Sequence, residues 1–279
     1  MNKAYKSIMK KNPWVQCPVI TSVQELLDTI KIVNYTRGEG KAQKRLAHLE
    51  NLYREWIKDI VDLTDFKYCY FVNGVTDAIN QWVATEDRPW QFKEGDYEYA
   101  NMISGNGSKV KNINSTDVLY ISNPSCATGN FIELNELPNP VILDCAYLGS
   151  TEKRRINVPT TTEQIWFSFS KGWGLIGQRA GLVFTKEPHK SLDPMKRVEA
   201  WNYTSVEVAI AIVQNYAIDT VHSLYKPVQQ RLCKEYNLEP SDCFFIANSK
   251  NNEYAVRRRL GDIARLDLSY MMNGDQHAQ

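Results

Sequence analysis

Several polar residues stand where short apolar runs stop, and in open α/β sheets the carboxyl ends of strands are where ligands bind. Residues 68–72 are followed by Asn73-Gly74-Val75-Thr76, residues 118–122 by Asn123-Pro124, and residues 141–143 by Asp144, with Tyr147 three positions on. The run 165–168 closes on Ser168 and leads through Phe169 to Ser170 and Lys171. Gly74 lies between a strand-like run and a helix-like one, so the amides of Gly74, Val75 and Thr76 can point from a helix N-terminus at a phosphate. Taken singly, each residue has a plainer reading. Gly74 frees a turn, Asp144 caps a helix or a turn, and Lys171 is a solvated surface lysine. It is their shared sheet edge that points to a ligand.

The elements that must carry these residues follow from periodicity. Apolar residues at 46, 49, 53, 56, 57 and 60 recur at three- and four-residue steps, which predicts an amphipathic helix over 41–63. Strands are expected at 68–72, 118–122, 141–143, 165–168 and 180–185, with a helix at 76–84 after the first. Buried runs bounded by Asn, Gly, Pro and Asp suit a mostly parallel sheet covered on both faces. Thr204 and Glu207 stand in capping-box spacing ahead of Val208 and Ile210, so a long helix is expected from 204, running with breaks to 236 and kinked or interrupted at Pro227. Beyond Pro240, the pieces 243–247, 254–256 and 263–268 read as strands of a small α+β unit. The fold class expected is therefore α/β: a three-layer α/β/α large domain with a mostly parallel sheet, plus a small C-terminal α+β domain. The boundaries fall as an N-terminal segment 1–34, a large domain 35–203, and an interdomain helix with a reduced small domain over 204–279.

In the middle of the chain, Asn123-Pro-Ser-Cys-Ala-Thr-Gly129, Asp144-Cys-Ala-Tyr147, Ser168-Phe-Ser-Lys171 and Gly177-Gln-Arg-Ala-Gly181 follow one another in order. This series resembles the core of the fold-type I enzymes dependent on pyridoxal 5'-phosphate (PLP), the aspartate aminotransferase superfamily. The stretch 71–79 is similar to that family's phosphate-cup helix, and 35–40 with Arg45 to the segment whose tyrosine reaches a partner subunit. Ala264-Arg265-Leu-Asp-Leu-Ser269 resembles the strand bearing the arginine for the substrate carboxylate.

The resemblance implies a role for each position. Lys171 would join the cofactor aldehyde and then move the substrate's Cα proton, Asp144 would pair with the pyridinium nitrogen, and Tyr147 would donate to the ring's phenolate oxygen. Ser168, Ser170, Arg179 and the amides of Gly74, Val75 and Thr76 would hold the phosphate. Asn123 would lie against the cofactor, Tyr35 would come from the other subunit of a homodimer with shared active sites, and Arg265 would fix the α-carboxylate. A surface arginine in a patch with Arg257, Arg258 and Arg259 is the plainer reading of Arg265. The activity implied is an aminotransferase acting on amino-acid and 2-oxo-acid substrates. Alternatives are a PLP-dependent lyase or decarboxylase, or a non-catalytic PLP-binding dimer.

The chain departs from the pattern at Cys126-Ala127, where the family has a second Asn-Pro, so the usual asparagine donor to the phenolate oxygen is missing. Tyr147 would act there alone unless Asn123 reaches in. The C-terminal domain is short, and the ring-stacking side chain falls among Tyr97, Tyr99 and Met102.

Composition sets the outer bounds. In 279 residues, 33 basic side chains nearly cancel 32 acidic ones, so no overall field draws the molecule to nucleic acid or an anionic membrane. The glycine-containing segments 37–41 and 105–109 lack the full spacing of a phosphate loop. The N-terminus has no apolar leader and no run is long enough to span a bilayer, which predicts a cytoplasmic protein. Six scattered cysteines without a CxxC pair read as reduced, and four histidines without ligand spacing predict no metal site.

Overall fold

The structure is a computed structural model and describes residues 19–35, 39–114, 116–250, 259–269 and 271–272. Met1 to Pro13, Cys17, Arg37, the expected strand at 254–256, Arg257, Arg258 and His277 lie outside the described residues.

A seven-stranded sheet forms the centre, in the order β1-β7-β6-β5-β4-β2-β3. Its strands are β1 (Tyr68–Val72), β2 (Trp90–Lys93), β3 (Gly107–Val110), β4 (Val118–Ser122), β5 (Val141–Cys145), β6 (Thr162–Ser168) and β7 (Gly181–Thr185). Pairing is parallel from β3 through β6, and β7 alone runs against its neighbours β6 and β1. All five strands expected here from sequence form. β2 and β3 are additions.

Strict alternation divides the side chains between two apolar layers. Tyr70, Tyr120, Ile142, Trp166 and Val183 face one layer, where α3 (Val75–Val83) packs Trp82 against Trp90, Tyr120 and Trp166. Cys69, Leu119, Leu143, Phe167 and Phe184 face the other. There α2 (Lys41–Ile57) sets Tyr53 against Phe167, Phe169 and Phe184. Helices on both faces make the expected three layers. α1 (Thr21–Asp28) precedes them, and α4 (Tyr99–Ser104) and α5 (Leu192–Arg197) complete the large unit.

Two helical expectations are corrected. The helix over 41–63 ends at Ile57. The long C-terminal helix is two: α6 (Tyr203–Asn215) and α7 (Thr220–Tyr236), broken at residues 216–219, while Pro227 lies inside a continuous α7. The capping box does not form. Asn202 caps α6 by accepting the Ser205 amide at 3.0 Å, Thr204 Oγ1 accepts the Val33 amide, and Glu207 is taken by Arg45.

The second sheet is antiparallel throughout, in the order β10-β11-β9-β8: β8 (Glu239–Pro240), β9 (Ile246–Ser249), β10 (Arg259–Leu260) and β11 (Ile263–Asp267). Its Ile246 and Leu266 belong to the same buried cluster as Leu143 and Phe167 of the large sheet, so β11 is packed firmly enough to present a side chain to the large unit. Among the described residues, no helix is long and apolar enough to cross a membrane.

Candidate active site

Sheet register brings the polar strand ends together. Val72 and Ser168 both stand opposite Gly181, Cys145 is level with Phe167, and Asp144 is level with Ser122. Asn73, Gly74, Asn123, Ala146 and Phe169 therefore leave the sheet at one edge, and Arg179 enters it there.

Three elements converge at Gly74. This residue holds a left-handed φ of 75° at the start of α3, and a Cβ built on it would lie 3.2 Å from Arg179 Nη2 and 3.5 Å from Ser170 Oγ. A side chain there would fill the space that the guanidinium and the hydroxyl share with the first amides of the helix. The Ser170 hydroxyl is buried and has no hydrogen-bond partner among the described residues. An orphaned hydroxyl, a guanidinium and a helix N-terminus at one point make a site for a tetrahedral anion. Ser168 serves this cup at one remove, its Oγ accepting the Ser170 amide at 3.1 Å. Ser205 Oγ donates to the Gln178 carbonyl at 2.5 Å, so the first turn of α6 steadies the loop that carries Arg179, itself at φ 49°.

Lys171 begins the turn after β6. A Cβ on Gly172 would lie 2.2 Å from the Gly149 carbonyl oxygen, so this turn presses on the 3-10 turn Leu148–Ser150 that follows Asp144 and Tyr147. The lysine is thereby close enough to Asp144 for its charge to help hold that carboxylate ionised. Asp144 is buried. Burial lifts its carboxyl to about 6, against the pull of a 2.6 Å hydrogen bond from Tyr120 Oη, the Ala146 amide and Lys171. Tyr120 lies in an uninterrupted apolar run and reads from sequence as core. It shares its sheet face with Ser122 and Asp144, and that parity was the available signal.

Asp96 is a second polar residue that the sequence alone does not single out. Its carboxylate takes the Ser122 hydroxyl at 2.5 Å, the Ser122 amide at 3.0 Å and the Tyr97 amide at 2.8 Å, tying Tyr97 to the end of β4. Of the three candidate stacking residues, Tyr97 is the one anchored at the site edge. Tyr99 hydrogen-bonds Asn80 on α3, and Met102 is 74% exposed.

Arg265 reaches in from β11 and is buried, which removes the surface-patch reading. Its Nη1 donates to the Cys126 carbonyl and, at 3.3 Å, to Tyr147 Oη, while Cys126 Sγ lies 3.6 Å from the same hydroxyl. Lys171, Asp144, Tyr147, Cys126 and Arg265 thus form one neighbourhood. Two expected residues stand apart from it. The Asn123 amide spends both ends on Ile132, accepting its N–H and donating to its carbonyl, each at 3.0 Å, and so pins a loop. Tyr35 donates to Glu207 of its own chain at 3.0 Å, on the carboxylate that Arg45 grips with two donors. A cavity of about 500 Å³ opens beside Asn73, lined by Tyr35, Trp201 and Tyr203, and does not lie over Lys171.

No family model matches this chain, and no curated protein does. Its fold is nonetheless shared with solved aminotransferases and a decarboxylase. The histidinol-phosphate aminotransferase of Sinorhizobium meliloti, in complex with pyridoxal-5'-phosphate, superposes with a TM-score of 0.64 at 13% identity over 98% of this chain and 94% of its own. Substrate-bound BacF of Bacillus subtilis gives 0.71 at 11% identity over 100% and 95%. The L-threonine-O-3-phosphate decarboxylase of Porphyromonas gingivalis gives 0.62 at 16% identity over 95% and 98%.

Proposed function

We propose that this chain binds pyridoxal 5'-phosphate through Lys171 and moves an amino group between an L-amino acid and a 2-oxo acid, as a homodimer. The observation that carries the reading is the anion cup at Gly74, Ser170 and Arg179, set on the same sheet edge as Lys171 and a buried acid. The residues present fit the cofactor. The unpartnered Ser170 hydroxyl and the space a Cβ on Gly74 would fill suit its phosphate. Asp144, lifted to about 6 by burial, is a carboxylate that gains from a cationic ring nitrogen beside it. When bound, the group supplies an electron sink for the carbon that loses a proton or a substituent.

The protein's own residues supply the rest. Arg179, Ser170 and the Val75 and Thr76 amides hold the phosphate, the expected Gly74 amide being taken by the Val72 carbonyl at 2.8 Å, and Ser168 fixes the loop that presents Ser170. Tyr120 orients Asp144 through its hydrogen bond, and Tyr97 covers one face of the ring. Tyr147 donates to the ring oxygen at the place where Cys126 offers only a thiol. Arg265 binds the substrate's α-carboxylate, and Lys171 takes the proton from the substrate's Cα.

The test is the visible absorption spectrum of the purified protein after incubation with PLP, followed by turnover with a panel of amino acids and 2-oxo acids. Wild type acquires a visible band and Lys171→Ala does not, and the substitution lowers transfer about 10²–10⁴-fold. A wild-type protein without the band defeats the cofactor assignment. A band with carbon dioxide or an elimination product in place of a new amino acid reassigns the reaction to a decarboxylase or lyase, and a band with no product at all to a binding role.

A further inference from the structure

β11 carries a second charged residue that the roles above leave unused. Asp267 follows Arg265 by two positions, so the two side chains leave the same face of the strand. One carboxylate oxygen of Asp267 is committed: Oδ1 accepts the Ser269 amide at 2.9 Å and the Ser269 hydroxyl at 2.5 Å. The other, Oδ2, is sealed from solvent and has no hydrogen-bond partner among the described residues. Burial raises the carboxyl's pKa, and the charges that oppose the rise are those of Arg265 and Lys171, so Asp267 stands within electrostatic reach of both ends of the proposed substrate site.

A buried carboxylate oxygen without a donor is costly, and native structures keep such atoms where a ligand supplies the missing hydrogen. Resting on the PLP reading, we infer that Asp267 is a specificity residue: its free Oδ2 accepts a hydrogen bond from the substrate's side chain while Arg265 holds the α-carboxylate. The substrate class follows from the chemistry. A side chain ending in an ammonium, guanidinium or hydroxyl group completes the site. A second carboxylate, as in the dicarboxylic amino acids and their 2-oxo acids, would meet Asp267 as a like charge beside the one arginine it needs. A site that hydrogen-bonds a polar group discriminates strongly against analogues that cannot supply it, because the site's own polar atom is then left unpaired.

Binding to the PLP-loaded protein, followed by spectral titration or calorimetry without turnover, tests the inference. The ligands are lysine, arginine, serine and threonine on one side and aspartate and glutamate on the other. Wild type is expected to bind the best of the first group at least about tenfold more tightly than either dicarboxylic acid, a difference of about 1.4 kcal/mol. Asp267→Asn, which keeps the volume and the Ser269 contacts, is expected to reduce that ratio about tenfold or more, by weakening the first group, strengthening the second, or both. Asp267→Ala should do the same, which keeps the test sound if either variant folds poorly. The inference is overturned if wild type prefers the dicarboxylic acids, if the ratio is unchanged in both variants, or if every ligand weakens in proportion. Absence of the visible band in wild type defeats the parent reading, whereas a normal band with the wrong selectivity defeats this one alone.

Discussion

Burial lifts the Asp144 carboxyl from the ordinary range to about 6, and that displacement has a consequence for stability. Between about pH 4 and pH 6 the folded protein binds a proton at this position that the unfolded chain has released. The contribution of Asp144 to stability therefore falls as pH rises through that window and stays lost above it. Asp144→Asn does not titrate there. Compared at pH 4.5 and pH 7 by urea unfolding without cofactor, wild type should lose about 2 kcal/mol more than the variant. Bound as proposed, PLP would set its cationic ring nitrogen beside the ionised carboxylate and should shrink this difference. Parallel pH curves for the two proteins would show that the acid is ordinarily solvated, and the role given to it would go with that result. Both this residue and Lys171 stand out in sequence because each ends an apolar run. Asp96 and Tyr120 do not: one lies in a charged loop and the other inside a hydrophobic strand, and only the folded register gives them polar partners.

Among the elements, the strands that place the site were legible because they are apolar on both faces and end in residues that no strand interior tolerates. β2 and β3 were not. Each is only four residues long, and the exposed edge strand β3 carries Gly, Ser and Lys, so neither shows the continuous apolar run of a buried strand. The start of α6 departs from its sequence pattern for a different reason. Thr204 and Glu207 have the spacing of a capping box, but each is claimed by a residue from the other end of the chain, Val33 and Arg45, a competition that local sequence does not display. The turn after Lys171 offers a sharper test of how elements fix the site. Gly172 presses on the Gly149 carbonyl, whereas a Cβ on Gly177, five residues later in the same glycine-rich segment, would meet nothing within 4 Å. Gly172→Ala should cost about 1–3 kcal/mol in denaturant unfolding and should disturb the absorption of bound PLP, since it forces apart the turns that carry Lys171 and Asp144. Gly177→Ala should stay within about 0.5 kcal/mol of wild type. Equal effects at the two glycines would mean that the loop yields freely and that Lys171 is not positioned by this contact.

For the whole molecule, the proposed dimer turns on what occupies the face beside the anion cup. Ile32 is 91% exposed, Val198 is 59% exposed, and the cavity at Asn73 lies alongside the cup at Gly74 with Tyr35 in its wall. Exposed apolar side chains are what an isologous contact would cover, and the proposed dimer would set each subunit's Tyr35 at the other's cup. In the single chain Tyr35 is held by Glu207, so the tyrosine must exchange that partner on dimerisation or share it. Mixed dimers distinguish the arrangements. A subunit carrying Lys171→Ala retains its Tyr35, and one carrying Tyr35→Phe retains its Lys171. If the tyrosine acts across the interface, co-refolded hybrids contain one wild-type site, and their PLP affinity and transfer rate recover to about half the wild-type sites per hybrid. If Tyr35 acts within its own chain, no site in the hybrid is complete and the mixture stays as impaired as its components. Light scattering on the unmixed protein must first give twice the 32.1 kDa chain mass, and a monomer at micromolar concentration would remove the shared site from the proposal.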